Sequence, residues 1–241
     1  MALAGTGTAL ATGLGAVPVF LLGERAERLR PALWGLAIGL MSVAAVVGLL
    51  RPALEQGSAA TVGAGLATGV AFLLGSRMVL AGHDVHVAGL RGADLRRAVL
   101  VFAVLLVHSL PEGFAIGTAY ASHTAGLGLF VILAIGLQNV PEGTSVAIPM
   151  ERAGFGHAQQ FWAAVLTSAP QPVGALIAFA LVEEISALLP LSFAFAAGAM
   201  LALVAVELLP QAYRRDSWPL AVAGTGLGAA LMGALAAALG V

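Results

Sequence analysis

The chain has 241 residues, 60% of them hydrophobic and only 10% charged, with a mean hydropathy of +0.98; soluble domains are nearer about 45–50% apolar and about 25% charged. This composition excludes an ordinary soluble domain and points to a polytopic membrane protein. A net charge of −1 offers nothing to nucleic acid or to an acidic surface, and the absence of cysteine excludes disulfides, thiolate catalysis and zinc–thiolate sites.

A spanning helix needs about 20 mostly apolar residues. Eight stretches qualify, at 2–22, 32–50, 59–81, 98–119, 125–149, 160–182, 190–211 and 218–240. The expected fold is therefore all-α, a polytopic membrane bundle of eight transmembrane helices forming one unit over residues 1–241. No basic segment precedes the first run, so it is expected to be a retained span and not a cleaved leader. The connections are short, and they carry nearly all the charge. The longest lies between spans 3 and 4, where Arg77 either ends the span or begins the loop.

Arginine placement orients the bundle. Arg25, Arg28, Arg30, Arg77, Arg91, Arg96, Arg97, Arg152, Arg214 and Arg215 fall in the connections 1–2, 3–4, 5–6 and 7–8, while the other side holds Arg51 alone. By the positive-inside rule those connections are cytoplasmic and both termini are extracytoplasmic. The many glycines inside the spans suit close helix packing through small residues.

Ionisable groups stand where they are most expensive. Span 4 carries HSLPEG at 108–113 and span 5 carries QNVPEG at 138–143, both near the bilayer midplane. Residues i and i+4 share a helix face, so His108 pairs with Glu112 and Gln138 with Glu142. The short ASHT turn makes the two spans antiparallel neighbours, and the pairs are expected to face each other across one site. Pro111 and Pro141 each remove a backbone N–H and free the carbonyls of Val107 and Leu137, while Gly113 and Gly143 allow a helix or an ion to approach. A midplane carboxylate costs at least about 2.5–3.5 kcal/mol. Two facing each other repel unless a cation bridges them or protonation turns them into a packing cluster. An oxygen-rich set with one imidazole suits a divalent first-row metal, and the repeated motif fits an in-plane pseudo-two-fold.

With these residues in view, the chain resembles the ZIP (Zrt/Irt-like) divalent metal transporters, bacterial in type. HSLPEG and QNVPEG are similar to the family's two metal-binding helices. GLAIGLMS in span 2, TSAPQPVGAL in span 6 and FAAGAMLALVAVELLPQAYR in span 7 also match. The resemblance implies a primary site of Met41, His108, Glu112, Gln138 and Glu142. It also implies a weaker second site at Ser109, Asn139 and Gln171, bridged by Glu112 and Glu142. Here the chain departs from the family: Gln138, Gln171, Ser109 and the Val206-Glu207 pair stand where stronger ligands are expected. One good metal position and a weak or absent second one follow.

The expected function is import of a divalent metal ion, Zn²⁺ first, as transported substrate and with no prosthetic group. The expected location is the bacterial inner membrane, with lipid and the metal as partners, no nucleic acid, and a homodimer as a candidate assembly. Protonation of Glu112, Glu142 or His108 is a route to release. The alternatives are a non-transporting sensor or scaffold on the same fold, and an intramembrane metalloenzyme. The latter is disfavoured because His108 is the only histidine inside a predicted span and no HExxH signature is present. His83, Asp84 and His86 in the long connection could catch exiting metal, and Glu183 and Glu184 could concentrate cations outside. Glu207 lines the exit or snorkels; His123 and His157 are read as ordinary loop residues.

Overall fold

The computed structural model describes residues 2–82, 93–213 and 217–241. His83, Asp84, His86, Arg91, Arg214 and Arg215 lie outside the described residues. Among the described residues, eight helices are long and apolar enough to cross a membrane, as the hydropathy pattern predicts. They are α1 Ala2–Leu22, α2 Ala26–Gln56, α3 Ala59–Gly82, α4 Ala93–Ala121, α5 Leu127–Arg152, α6 His157–Glu184, α7 Ser186–Ala212 and α8 Trp218–Leu239.

Helix ends differ from the hydropathy boundaries for a local reason. At α2 the charged flanks continue the helix, with Arg30 on Glu27 at 2.7 Å (i, i+3) and Arg51 on Glu55 at 2.9 Å (i, i+4). Such pairs support helix where apolar packing gives out. The Arg77 ambiguity resolves likewise: α3 runs on to Gly82, so Arg77 is a helical residue.

Two spans expected to be continuous are broken. α1 turns at Gly15–Ala16, ahead of Pro18, and α6 turns at Ser168–Ala169, ahead of Pro170. Proline is well placed only in the first turn of a helix, so each restarts a second helical segment. By contrast α4 and α5 run unbroken through Pro111 and Pro141. α2 and α7 each contain a π-helical stretch, at Ala44–Leu50 and Val204–Leu208, a feature that often accompanies functional sites.

The packing has a repeat. α1 lies on α5 and α4 on α6, while α2 lies on α8 and α3 on α7, with α4 and α5 also in contact. Exchanging α1 with α6, α2 with α7, α3 with α8 and α4 with α5 maps this pairing onto itself. The same exchange matches the two breaks, the two π-helical stretches and the two Pro-Glu-Gly motifs. That is the pattern of an inverted repeat.

The two motif glycines do the same work in each half. A side chain at Gly113 would strike the Gln171 carbonyl of α6, and one at Gly143 would strike the Thr12 carbonyl of α1. Both glycines admit a helix, which answers whether they serve a neighbouring helix or an ion. Outward faces carry Leu3, Leu21, Met78, Trp162 and Leu227 fully or half exposed. A continuous coat of this kind is stable against lipid and not against water.

Candidate metal centre

His108 and Glu112 on α4 and Glu142 on α5 are fully buried. His108 Nε2 stands 3.4 Å from Glu112 Oε1 and 4.0 Å from Glu142 Oε1. One donor atom from each of the three lies within 4.8 Å of the others. Donors about 2.0–2.2 Å from a zinc ion in tetrahedral geometry are about 3.3–3.6 Å apart. The set therefore needs only small side-chain movements to close on such an ion.

Buried polar atoms are nearly always hydrogen-bonded, yet several here are not. Among the described residues, both ring nitrogens of His108, Glu142 Oε1 and Gln138 Oε1 have no hydrogen-bond partner. Orphaned donors of metal-ligand type gathered in one place are what a cation site presents before its cation arrives. The arginine partners of other carboxylates lie at helix ends, on Glu27, Glu55 and Glu207. Among the described residues, Glu112 and Glu142 both face His108.

The i, i+4 pairing expected of each motif is realised in α4 only. Gln138 turns across the interface instead, its Nε2 donating to Glu112 Oε1 in a short hydrogen bond while its own Oε1 is left free. A half-turn of this amide would exchange donor for acceptor. Met41 is fully buried on α2, which packs against α5, and belongs to the large apolar cluster with Ile38, Ala45 and Leu49.

The second group of expected ligands is already engaged with protein. Ser109 donates to the Leu105 carbonyl at 2.9 Å, the common i−4 bond of a helical serine. Asn139 Nδ2 donates to the Thr8 carbonyl at 2.7 Å. Gln171 Nε2 donates to Glu112 Oε2 at 2.6 Å, and its Oε1 accepts from the Thr8 hydroxyl at 2.7 Å. The structure thus brings Asn139 and Gln171 together beside Glu112, with Thr8 of α1 as a member that sequence reasoning missed. The available signal was Thr8 and Thr12, four apart on one face of an apolar span that also carries Thr6.

Away from the arginine-rich end, the residues after Glu112 on α4 (Ala115, Ile116, Ala119) and before Gln138 on α5 (Phe130, Ala134, Ile135) join one dry cluster. Toward the arginine-rich end, a cavity of about 120 Å³ runs between Trp34, Leu105 and Leu208, with Glu142, Glu207 and Gln211 in its wall. Glu207 accepts from Gln211 at 2.6 Å and pairs with Arg77 at 3.2 Å. Away from the cavity, exposed His123 pairs with Glu183 at 2.9 Å. His157 begins α6 and stacks on Phe20 with ring centroids 4.4 Å apart.

Comparison with known proteins follows the same lines. The family model described as ZIP zinc transporter matches residues 79–236. The chain is 35% identical to the zinc transporter GufA of Myxococcus xanthus, over 88% of this chain and 86% of that one. It is 32% identical to the zinc transporter ZIPB of Bordetella bronchiseptica, over 99% of this chain and 81% of the relative. A proposed zinc transporter of Arabidopsis thaliana is 35% identical over 87% of this chain, which spans only 34% of that longer protein.

Proposed function

The chain belongs to the ZIP zinc transporter family, and from that premise we propose that it carries Zn²⁺ into the cytoplasm through the midplane site on α4 and α5. Membership supports transport of a divalent metal by a multi-pass membrane protein. The finer reading concerns direction and ligands. His108, Glu112 and Glu142 are the charged and imidazole ligands, and Gln138 and Met41 complete the shell. Gln138 joins by turning its free Oε1 toward the ion, and Met41 adds a weak thioether from α2.

The single observation that carries this reading is the buried convergence of unpartnered His108 and Glu142 atoms with Glu112, beside a cavity that runs toward the arginine-rich end. A dication is a partner that would satisfy His108 Nε2 and Glu142 Oε1 at once. A cavity with Glu142 and Glu207 in its wall supports release toward the arginine-rich end, which the positive-inside rule assigns to the cytoplasm. A transported ion must be bound tightly enough to enter and loosely enough to leave. A mixed imidazole, carboxylate and amide set suits that better than a closed structural zinc site.

Radiolabelled zinc uptake by the purified protein in liposomes tests the reading. Uptake above that of empty vesicles is expected, abolished in Glu112→Ala and Glu142→Ala, severely reduced in His108→Ala, and only modestly lowered in Met41→Ala. Near-normal uptake in Glu112→Ala would remove the proposed chemistry. Zinc binding without any uptake would favour the sensor or scaffold reading.

A further inference from the structure

Two chemically identical amides flank Glu112, and their hydrogen bonding is opposite in character. Gln138 donates Nε2 to Glu112 Oε1 and keeps an unpartnered oxygen. Gln171 has none to spare. Its Nε2 donates to Glu112 Oε2 at 2.6 Å and to Asn139 Oδ1 at 3.3 Å, while its Oε1 accepts from Thr8 Oγ1 at 2.7 Å and from Asn139 Nδ2 at 3.2 Å. Two N–H groups and two lone pairs are the whole capacity of a glutamine amide. Turning it over would set its oxygen against Glu112 Oε2 and its nitrogen against Asn139 Nδ2.

We propose that Thr8 and Gln171 form a positioning pair that aims the Glu112 carboxylate: Gln171 holds Oε2 from the side, Thr8 holds Gln171 from behind, and Oε1 alone faces His108 and the cation. The proposal rests on the metal-site reading above and adds residues from α1 and α6 to it. The backbone is built for this contact. Pro170 restarts α6 immediately before Gln171, and the Gln171 carbonyl presses on α4 where only Gly113 leaves room. On the other side a Cβ at Gly5 would stand 2.7 Å from Pro172 Cα, so a larger residue there would push Thr8 out of reach. Thr8 also bonds the Gly5 carbonyl at 2.9 Å, its single proton being shared between two acceptors. Thr8, Asn139 and Gln171 are all fully buried, and a fully satisfied buried network specifies one arrangement.

The consequence is a site of one cation. Gln171 puts a neutral N–H donor on the face of Glu112 that a second, bridging ion would need. A second dication there would have to displace an amide held at both ends. Glu112 therefore offers one oxygen to the metal.

Zinc titration of the full-length protein in detergent tests this, using the metal alone, with thermal stability of the metal-free protein measured alongside. Thr8→Val removes the hydroxyl at nearly constant volume and should weaken zinc binding about tenfold, which is about 1.4 kcal/mol. Thr8→Ser should restore it with the metal-free melting temperature little changed. Wild-type protein should bind one zinc per chain, and Gln171→Glu should bind two, a readout that survives even if Thr8→Val fails to fold. Wild-type affinity in Thr8→Val, failure of Thr8→Ser to restore a weakened site, or two ions in the wild type would overturn the proposal. If zinc binding in the wild type is unaffected by His108→Ala, the metal-site reading itself falls; binding that needs His108 but ignores Thr8 removes only the positioning pair.

Discussion

Neutralising Glu142 should change the metal-free and the zinc-loaded protein in opposite directions. Glu142→Gln preserves shape and removes one charge from a buried carboxylate whose Oε1 has no hydrogen-bond partner among the described residues. Its donor atom lies within 4.8 Å of that of Glu112. At an effective dielectric of 20, two unit charges at that separation repel by about 3 kcal/mol. Removing one of them relieves up to that much in the empty protein. In the wild type, zinc at a hundred times its dissociation constant adds about 2.7 kcal/mol of stability. For a chain of this size each kcal/mol moves the melting temperature by about 2–4 °C, so zinc should raise it by roughly 5–10 °C. The assay is intrinsic tryptophan fluorescence on heating, in detergent, with and without zinc. Glu142→Gln should melt at or above the wild-type temperature when metal-free and show little zinc-induced shift. A variant that melts several degrees lower when metal-free would identify Glu142 as a structural hydrogen-bonding group. A zinc shift as large as that of the wild type would exclude it as a ligand. Either result refutes the reasoning.

Three further outcomes follow from other parts of the structure. Because the native chain has no cysteine, single cysteines report orientation cleanly: Ser58→Cys should react with an impermeant maleimide from outside intact cells, and Ala153→Cys only after lysis; the reverse pattern would invert the bundle. Arg77→Gln breaks a partly exposed ion pair with Glu207, so stability should move by no more than about 1 kcal/mol. The freed carboxylate at the cavity mouth should retain outgoing zinc, lowering the maximal uptake rate with zinc affinity unchanged, whereas an unaltered rate would remove Glu207 from the path. Gly143→Ala drives a methyl into the Thr12 carbonyl and should cost about 1–3 kcal/mol as an overpacked contact, seen as a lower melting temperature; a neutral result would mean that α1 and α5 yield freely there.

Much of this protein was legible in one dimension because a bilayer makes strong demands of a sequence. Every spanning backbone must satisfy its own hydrogen bonds, so eight apolar runs read directly as eight helices. A carboxylate at the midplane is costly enough that Glu112 and Glu142 mark themselves as candidates for a site, and helical periodicity alone predicted the approach of His108 to Glu112. What depends on contacts between helices was not legible. Nothing local says that Gln138 reaches across to α4 instead of lining up with Glu142, because both rotamers suit the same helix. Nor does the spacing of an apolar first span reveal that Thr8 holds Gln171, 163 positions away. That contact exists only because Gly5 and Gly113 let α1 and α4 close on the turn that Pro170 makes in α6. Sequence determined which residues must lie in the membrane and which of them are too polar to be there without a purpose. Tertiary packing decided which polar groups satisfy one another and which are left without a partner, since a hydrogen bond between distant helices depends on a fit of a few tenths of an ångström that no single helix encodes.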